Sequence, residues 1–284
     1  MSVVASPPPD EIAPAAAERR ARAARYARAR ADLAEGLRAA WLWQALAAQD
    51  VRLRYRRSML GPLWLTLSTA VMVAAMGFLY ARLFGMDAHA YIPFLSTGLI
   101  VWQFISGIVA EGCQTFLDVQ SIIQQTKIPY SAHAYRSVYR NILVLAHNMI
   151  IVPAVFGILG QPVGWRVLAM LPGVAVLCVN GVWMSLLVGM ASARFRDIPP
   201  IVANVLQLLF FVTPVFWKPE SLGRWRTVAE YNPLFAAIDV VRAPLLDQTP
   251  APHSWPILAG LTVGGGAVAF VLFARFRSRI AYWV

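Results

Sequence analysis

The sequence contains a series of apolar runs, each long enough to cross a lipid bilayer, and these limit the folds that the chain can adopt. Hydrophobic residues make up 58% of the 284 residues and charged residues only 14%, against about 25% charge in average soluble domains. A helix needs roughly 20 apolar residues to span the hydrocarbon core. We predict an all-α membrane protein with six transmembrane helices at about 61–82, 93–113, 134–159, 166–192, 199–217 and 256–275.

The charge distribution predicts how these spans are oriented. The net charge is +11, but the basic residues lie beside apolar runs rather than on a soluble domain, which argues against nucleic-acid binding. If the N-terminus is inside, nineteen of the 25 lysines and arginines fall on the inner side and six on the outer side. The positive-inside rule therefore predicts that both termini are cytoplasmic.

The N-terminal residues differ in composition from the rest. Residues 1–34 combine "SPPP" with alanine and arginine and read as a flexible extension. Residues 35–284 hold the apolar runs and form the membrane domain. The two cysteines, Cys113 and Cys178, have neither metal-ligand nor redox spacing, so we expect no metal site.

The stretch "VRLRYRRSMLGPLW" places four arginines directly before the first apolar run. Residues 37–57 contain no proline, and their tryptophans and arginines are typical of a helix at the headgroup level. The arginines are either a positive-inside anchor or a docking surface for a cytoplasmic partner. The residues that would serve in such a surface are Asp50, Arg52, Arg54, Arg56 and Arg57.

The inner loop from Phe116 to Arg136 alternates short apolar elements with polar side chains. This pattern predicts a short helix that is too polar to span a membrane and more apolar than an ordinary loop. This pattern alone is compatible both with docking of a partner protein and with a plain connecting loop.

The outer segment from Trp217 to Pro250 contains a second helical pattern. Leu234, Ile238 and Val241 recur at helical spacing, and Asn232-Pro233 separates this run from the one before it. Two short helices folded back into the outer leaflet fit this pattern. A cap packed on the ends of the spans fits it equally well.

Several motifs are missing from the sequence. It has no G-x-x-x-x-G-K-[ST] loop, no H-E-x-x-H and no credible nucleophile–base set. Active transport by this chain would therefore need an ATPase on another chain.

Five sequence blocks, in order along residues 35–284, resemble one family. They are "RYRRSMLGPLW", "IIQQTKIPY", "ARFRDIPPIVANVLQLLFFVTPVFW", "YNPLFAAIDVVRAPLL" and "SRIAYWV". Together they are similar to the permease subunit of bacterial polysaccharide ABC exporters, the type-2 exporters of O-antigen, capsule or teichoic acid. Residues 1–34 match nothing in that family.

The resemblance implies roles for particular segments. An amphipathic interface helix at 37–57 would precede the first span, and a cytoplasmic coupling helix at about 117–130 would seat in the ATPase. The coupling residues would be Asp118, Gln120, Ile122, Ile123, Gln124, Lys127, Ile128 and Pro129. Two short re-entrant helices at about 219–229 and 233–246 would form an outer gate with Trp225, Tyr231, Asn232, Pro233 and Arg242.

Most aromatic side chains in or beside the spans are expected to face lipid or the core, and a subset that lines a conduit would stack on sugar rings. The channel-lining candidates are Trp64, Phe78, Tyr80, Phe210, Phe211, Phe216 and Trp217.

The resemblance also implies an assembly and a location. The chain would form a homodimer in the bacterial cytoplasmic (inner) membrane, with lipid around it and two ATPase subunits that use ATP and Mg²⁺. It would bind no cofactor itself and would export a lipid-linked polysaccharide. The alternatives are a type-2 exporter of a smaller lipid or drug and a multispan membrane glycosyltransferase.

Overall fold

A computed structural model describes residues 9–54, 56, 61, 63–83 and 85–284, with the side chains of the same residues except 9–17 and 124. These ranges contain thirteen α-helices, three short 3-10 helices and no β-strand. The predicted all-α class is therefore confirmed.

The helices are numbered in chain order. They are α1 Pro9–Arg38, α2 Ala40–Arg54, α3 Leu63–Leu83, α4 Ala88–Gln114, α5 Gln120–Gln125, α6 Tyr130–Asn148, α7 Ile151–Ile158, α8 Met170–Arg194, α9 Ile198–Val212, α10 Arg226–Glu230, α11 Pro233–Leu245, α12 Ser254–Phe276 and α13 Ile280–Trp283. The 3-10 helices are Trp165–Ala169, Pro219–Trp225 and Arg277–Arg279.

Five helical stretches in the described chain are long and apolar enough to cross a membrane. Each overlaps one of the predicted spans; they are Leu63–Leu83, Ala88–Gln114, Tyr130–Ile158, Trp165–Arg194 and Ser254–Trp283. The predicted span at 199–217 corresponds to α9, which has only 15 residues. At 1.5 Å per residue α9 is about 22 Å long, shorter than the hydrocarbon core.

The end of α9 has a local cause. Thr213 adopts an extended conformation, and Pro214 has no backbone N–H with which to continue the helix. The indole Nε1 of Trp217 donates a hydrogen bond of 3.0 Å to the carbonyl oxygen of Phe211, which would otherwise lack a helical donor. The chain therefore turns over residues 213–217 instead of completing a long helix.

Helix α4 is the centre of the bundle and contacts α3, α6, α8, α9 and α11. Its middle is buried, including Leu95, Leu99 and Ile100. At Gly98 a Cβ atom would lie 2.6 Å from the carbonyl oxygen of Val215, so the absence of a side chain lets the 213–217 turn pack directly on α4.

Helix α1 continues across the predicted boundary between residues 34 and 35. Its second half packs on α6 and α12, with Ala29 and Asp32 buried in the contact. The bundle therefore includes part of the predicted N-terminal extension. Residues 1–8 of that extension lie outside the described residues.

The segments at 219–230 and 233–245 are short helices at the positions predicted for the outer gate. Every residue of α11 from Phe235 to Leu245 is buried, and α11 packs against α4, α8 and α12. Their depth in a bilayer stays a prediction.

Candidate functional site

A network of ion pairs fixes α2 to the bundle. Asp50 of α2 accepts hydrogen bonds from Nε of Arg136 at 2.7 Å and from Nη1 of Arg140 at 3.1 Å. Glu111 of α4 accepts from Nε of Arg140 at 2.6 Å and from Nη2 of Arg54 at 3.0 Å. Apart from Arg54, these side chains are at most 20% exposed. Such pairs are hard to break singly, because removal of one partner leaves a poorly solvated charge.

The network contains only part of the predicted interface-helix set. It includes Asp50 and Arg54, whereas Arg52 and Arg56 are exposed, and Arg57 lies outside the described residues. Sequence reasoning missed Arg136 and Arg140. Their spacing of four residues at the start of an apolar run puts both guanidinium groups on one face of α6, which is a signal that could have been used.

The residues predicted for coupling lie around α5 on a surface that combines exposed polar side chains with half-buried apolar ones. Phe116 and Val119 are buried beneath it. Asp118, Gln120 and Lys127 are exposed, whereas Ile122, Ile123, Ile128 and Pro129 are half-buried. The side chain of Gln124 is outside the described set.

The C-terminus extends this surface. Helix α13 contacts α5, and Ile123 packs on the apolar cluster that contains the fully buried Ile280. We call the end of the bundle that carries α2, α5 and α13 the basic end. Although Asp118 is exposed, neighbouring groups partly desolvate its carboxyl and raise its pKa, and Arg140 and Arg136 oppose the shift.

A large open cavity, the α3–α9 groove, lies between α3, α4 and α9 and has a volume of about 560 Å³. Helix α9 forms one wall of the groove, and no residue of α9 is fully buried. This wall is therefore exposed on its outer side. The lining residues are Met72, Leu99, Trp102, Gln103, Ser106, Gly107, Ala110, Ala203, Leu206, Gln207, Phe210 and Phe211.

Aromatic rings line one end of the groove and continue into the core. The ring of Phe210 lies 5.8 Å from that of Trp102 and 5.3 Å from that of Phe216, and Phe216 lies 5.4 Å from Tyr80. Phe216 is itself buried in the core. Such rings offer apolar faces to a ligand.

The structure brings together only part of the predicted channel-lining set. Phe210 and Phe211 line the groove, and Tyr80 and Phe216 pack behind it. Trp64 and Phe78 are exposed on α3, and Trp217 lies in the 213–217 turn.

Polar groups also line the α3–α9 groove. The Oε1 atom of Gln103 accepts hydrogen bonds from Thr69 of α3 at 3.1 Å and from Asn148 of α6 at 3.0 Å. Gln103 therefore joins three helices, as expected for an amide inside a membrane bundle. Gln207 faces the same groove from α9.

At the opposite end of the bundle Arg242 is 3% exposed. Its Nη1 donates to the carbonyl oxygen of Pro214 at 2.8 Å, and its guanidinium lies 4.2 Å from the centre of the Phe94 ring. Burial lowers the pKa of Arg242 to about 10, so the group stays charged at neutral pH. It joins α11, the 213–217 turn and α4.

The other predicted gate residues lie around this joint. Asn232 caps α11 by accepting a hydrogen bond from the backbone N–H of Leu234 at 2.9 Å, and Pro233 occupies the first turn, where no N–H is needed. The ring of Tyr231 stacks on His253 with centroids 4.8 Å apart. Trp225 is exposed.

Among the side chains that the structure describes, no group of three or more histidines, cysteines, aspartates or glutamates is arranged to hold a metal ion.

Comparison with known proteins places these features in a family. A family model described as "ABC-2 type transporter" matches residues 42–246. The chain is 24% identical over 195 residues to the O-antigen export system permease protein RfbA of Klebsiella pneumoniae, across 67% of this chain and 74% of that protein. It is 24% identical over 182 residues to a protein of the same name from Myxococcus xanthus, across 63% of this chain and 68% of that protein. The resemblance drawn from the sequence blocks is therefore confirmed.

Proposed function

The chain belongs to the ABC-2 type transporter family, and we propose from this membership that it is the permease subunit of an ATP-driven exporter of lipid-linked polysaccharide. The observation that carries the proposal is the α3–α9 groove, which combines aromatic rings with Gln103 and Gln207. Aromatic faces suit the apolar C–H faces of sugar rings, and amides suit their hydroxyl groups. The relatives named above are O-antigen export permeases, which supports the same class of substrate.

Two copies of the chain enclose the path. The groove is open along α9, which buries no residue of its own within one chain. A two-fold pairing that places two such grooves face to face closes them and covers the apolar α9 surface. The conduit is therefore the seam of a homodimer.

The sixth span is α9 together with the turn over residues 213–217. Both α2, before the first span, and α13, after the last, lie at the basic end, since α2 packs on the first half of α6 and α13 contacts α5. An even number of membrane crossings returns the chain to the side where it began. Five crossings would leave α2 and α13 on opposite sides, so α9 must supply a sixth. The positive-inside rule makes that side the cytoplasm, and we assign the chain to the bacterial cytoplasmic membrane with both termini inside.

An ATPase partner binds the basic end, with two copies for each permease dimer. The half-buried isoleucines around α5 offer it apolar contacts, while Gln120 and Lys127 offer polar ones. The ion pairs from Asp50 and Glu111 connect α2 rigidly to α4 and α6. A push on the basic end is therefore transmitted to the helices that line the groove.

Coupled ATP hydrolysis by the purified complex tests this assignment. Ile122→Glu with Ile128→Glu places charge on the half-buried contact surface, and we expect loss of ATPase binding and of permease-stimulated hydrolysis. Leu168→Glu, at an exposed apolar position in the 3-10 helix at the opposite end, is the control. Unchanged hydrolysis in the α5 variant, or equal loss in the control, would contradict the proposed coupling surface.

The substrate class is tested by disrupting the gene. Accumulation of lipid-linked glycan inside the cells, together with its loss from the surface, supports polysaccharide export. Normal surface glycan with altered tolerance to drugs or altered lipid distribution would instead favour a smaller substrate. Glycan chains missing altogether from both sides would favour a glycosyltransferase.

A further inference from the structure

Arginines from two helices converge at the basic end, outside the region that matches the family. A cavity of about 370 Å³ lies between the middle of α1 and the end of α12. We call it the arginine cavity, and it is lined by Arg22, Arg25, Tyr26, Val271, Ala274 and Arg275.

The three guanidinium groups lack an acidic partner among the side chains that the structure describes, since no ion pair involves them there. The neighbouring Arg277 is different, because its Nε donates to the buried carboxylate of Asp32 at 2.6 Å. Although these arginines are exposed to solvent, three cations around one cavity repel each other, and a bound anion relieves that repulsion.

We propose that the arginine cavity binds the phosphate headgroup of an anionic membrane lipid. The positions of the lining residues along α12 favour a lipid over a free anion, because they offer a charged level and an apolar level below it. Arg275 lies in the last turn of the span-length helix α12, where a headgroup lies. Val271 lies one turn deeper and is 46% exposed, so it offers an apolar wall to an acyl chain below the charged groups.

The site is built by the docking of α1. Asp32 accepts hydrogen bonds from the backbone N–H of Ser131 at 2.9 Å and of Tyr130 at 3.2 Å. The ring of Tyr26 lies 5.8 Å from that of Phe270 on α12. These contacts hold Arg22 and Arg25 beside Arg275. The family match covers residues 42–246, so all six lining residues lie outside it and away from the α3–α9 groove.

The test measures lipid binding to the full chain in neutral detergent. Phosphatidylglycerol, phosphatidylcholine and inorganic phosphate are each titrated against the protein, and bound lipid is counted by native mass spectrometry. We expect phosphatidylglycerol to bind and the other two not to bind. The triple variant Arg22→Gln, Arg25→Gln and Arg275→Gln should weaken phosphatidylglycerol about a hundredfold, since each arginine near an anionic headgroup contributes about fivefold.

A charge-matched control separates a site from general attraction. Arg19→Gln, Arg20→Gln and Arg28→Gln change three exposed arginines of α1 that do not line the cavity, and binding should weaken less than about fivefold. Equal weakening by the two triple variants would overturn the proposal, as would equal binding of phosphatidylcholine. Binding of inorganic phosphate as strong as that of the lipid would overturn the assignment to a lipid. Thermal unfolding without lipid verifies that both variants are folded.

Discussion

At the scale of single residues, one buried arginine connects three parts of the chain. Arg242 of α11 donates to the carbonyl oxygen of Pro214 and lies over the ring of Phe94. A charged group with so little exposure is stable only because these partners replace water. The residue therefore fixes the turn after α9 to α4, next to the end of the α3–α9 groove.

Replacement of Arg242 by methionine should destabilise the chain. Methionine fills similar space but leaves the Pro214 carbonyl without its donor, and loss of a hydrogen bond to a charged group costs about 2 kcal/mol. The free energy of unfolding, measured by titration with SDS in mixed micelles, should fall by about that amount. Arg224→Met, at an exposed position near the same end, should change it by less than about 0.5 kcal/mol. An equal effect of both variants would contradict the anchoring role.

At the scale of elements, the contacts of α1 and α2 decide whether the basic end is one rigid unit. Helix α1 approaches α6 so closely that a Cβ atom at Gly36 would lie 2.2 Å from Oγ of Ser131. That hydroxyl already donates to the backbone carbonyl of Asp32 at 2.7 Å. The two helices therefore fit only because residue 36 has no side chain.

Gly36→Ala should release α1 from α6. Alanine favours the helical conformation, so any loss of docking must come from the steric clash, which costs roughly 1–3 kcal/mol when a core is overpacked. We expect tryptic cleavage at the arginines of α1 to become about tenfold faster. Gly260→Ala on α12, where a Cβ meets nothing within 4 Å, should leave the cleavage rate unchanged. An unchanged rate of tryptic cleavage in Gly36→Ala would show that α1 and α6 accommodate the added methyl group without loss of docking.

The ion pairs of α2 depend on Asp50, which two arginines of α6 share. Asp50→Asn leaves Arg136 and Arg140 without their shared carboxylate, and loss of one partner of a poorly exposed pair costs about 3 kcal/mol. Unfolding in SDS should detect this loss, and permease-stimulated ATP hydrolysis should fall with it. Arg52→Gln changes an exposed charge of the same helix and should leave both measurements near the wild-type values. Full stimulation in Asp50→Asn would mean that α2 does not transmit motion.

At the level of the whole molecule, the proposed pairing along α9 would cover a row of exposed apolar side chains. Its exposed residues Ile201, Val205, Leu208 and Val212 follow one another at helical spacing. In the proposed dimer this row lies at the seam rather than against lipid. The closed conduit then exists only in the assembly.

Cysteine cross-linking in membranes tests the seam. With Cys113 and Cys178 replaced by alanine, single cysteines at 201, 205, 208 and 212 should give a disulfide-linked dimer at one or more positions, because the Cα atoms of a disulfide lie within about 7 Å. Val263→Cys, on the exposed side of α12, should remain monomeric on a denaturing gel. Cross-linking at 263 with none along α9 would place the interface elsewhere.

The class of the molecule follows from the amino-acid sequence alone. Span-length apolar runs admit only helices in lipid, because every backbone polar group must be satisfied within its own segment. The short helix before Tyr130 was predictable from the alternation of apolar and polar residues. The break at Asn232-Pro233 was predictable from the capping asparagine and the proline, because both act over a few residues. The sequence blocks, in their order, identified the family.

Which distant residues meet depends on how the helices pack and could not be predicted from local patterns. Asp50 and Arg136 are 86 positions apart, and Arg22 and Arg275 lie near opposite ends of the chain. Periodicity fixes which face a residue occupies on its own helix, but the partner of that face depends on how the helices pack. The predicted span at 199–217 shows the same limit, because the turn at 213–217 depends on Gly98 and Arg242 as well as on Pro214. Hydrophobic length is a local property, whereas the place where a helix ends in a bundle is set by the contacts of the whole fold.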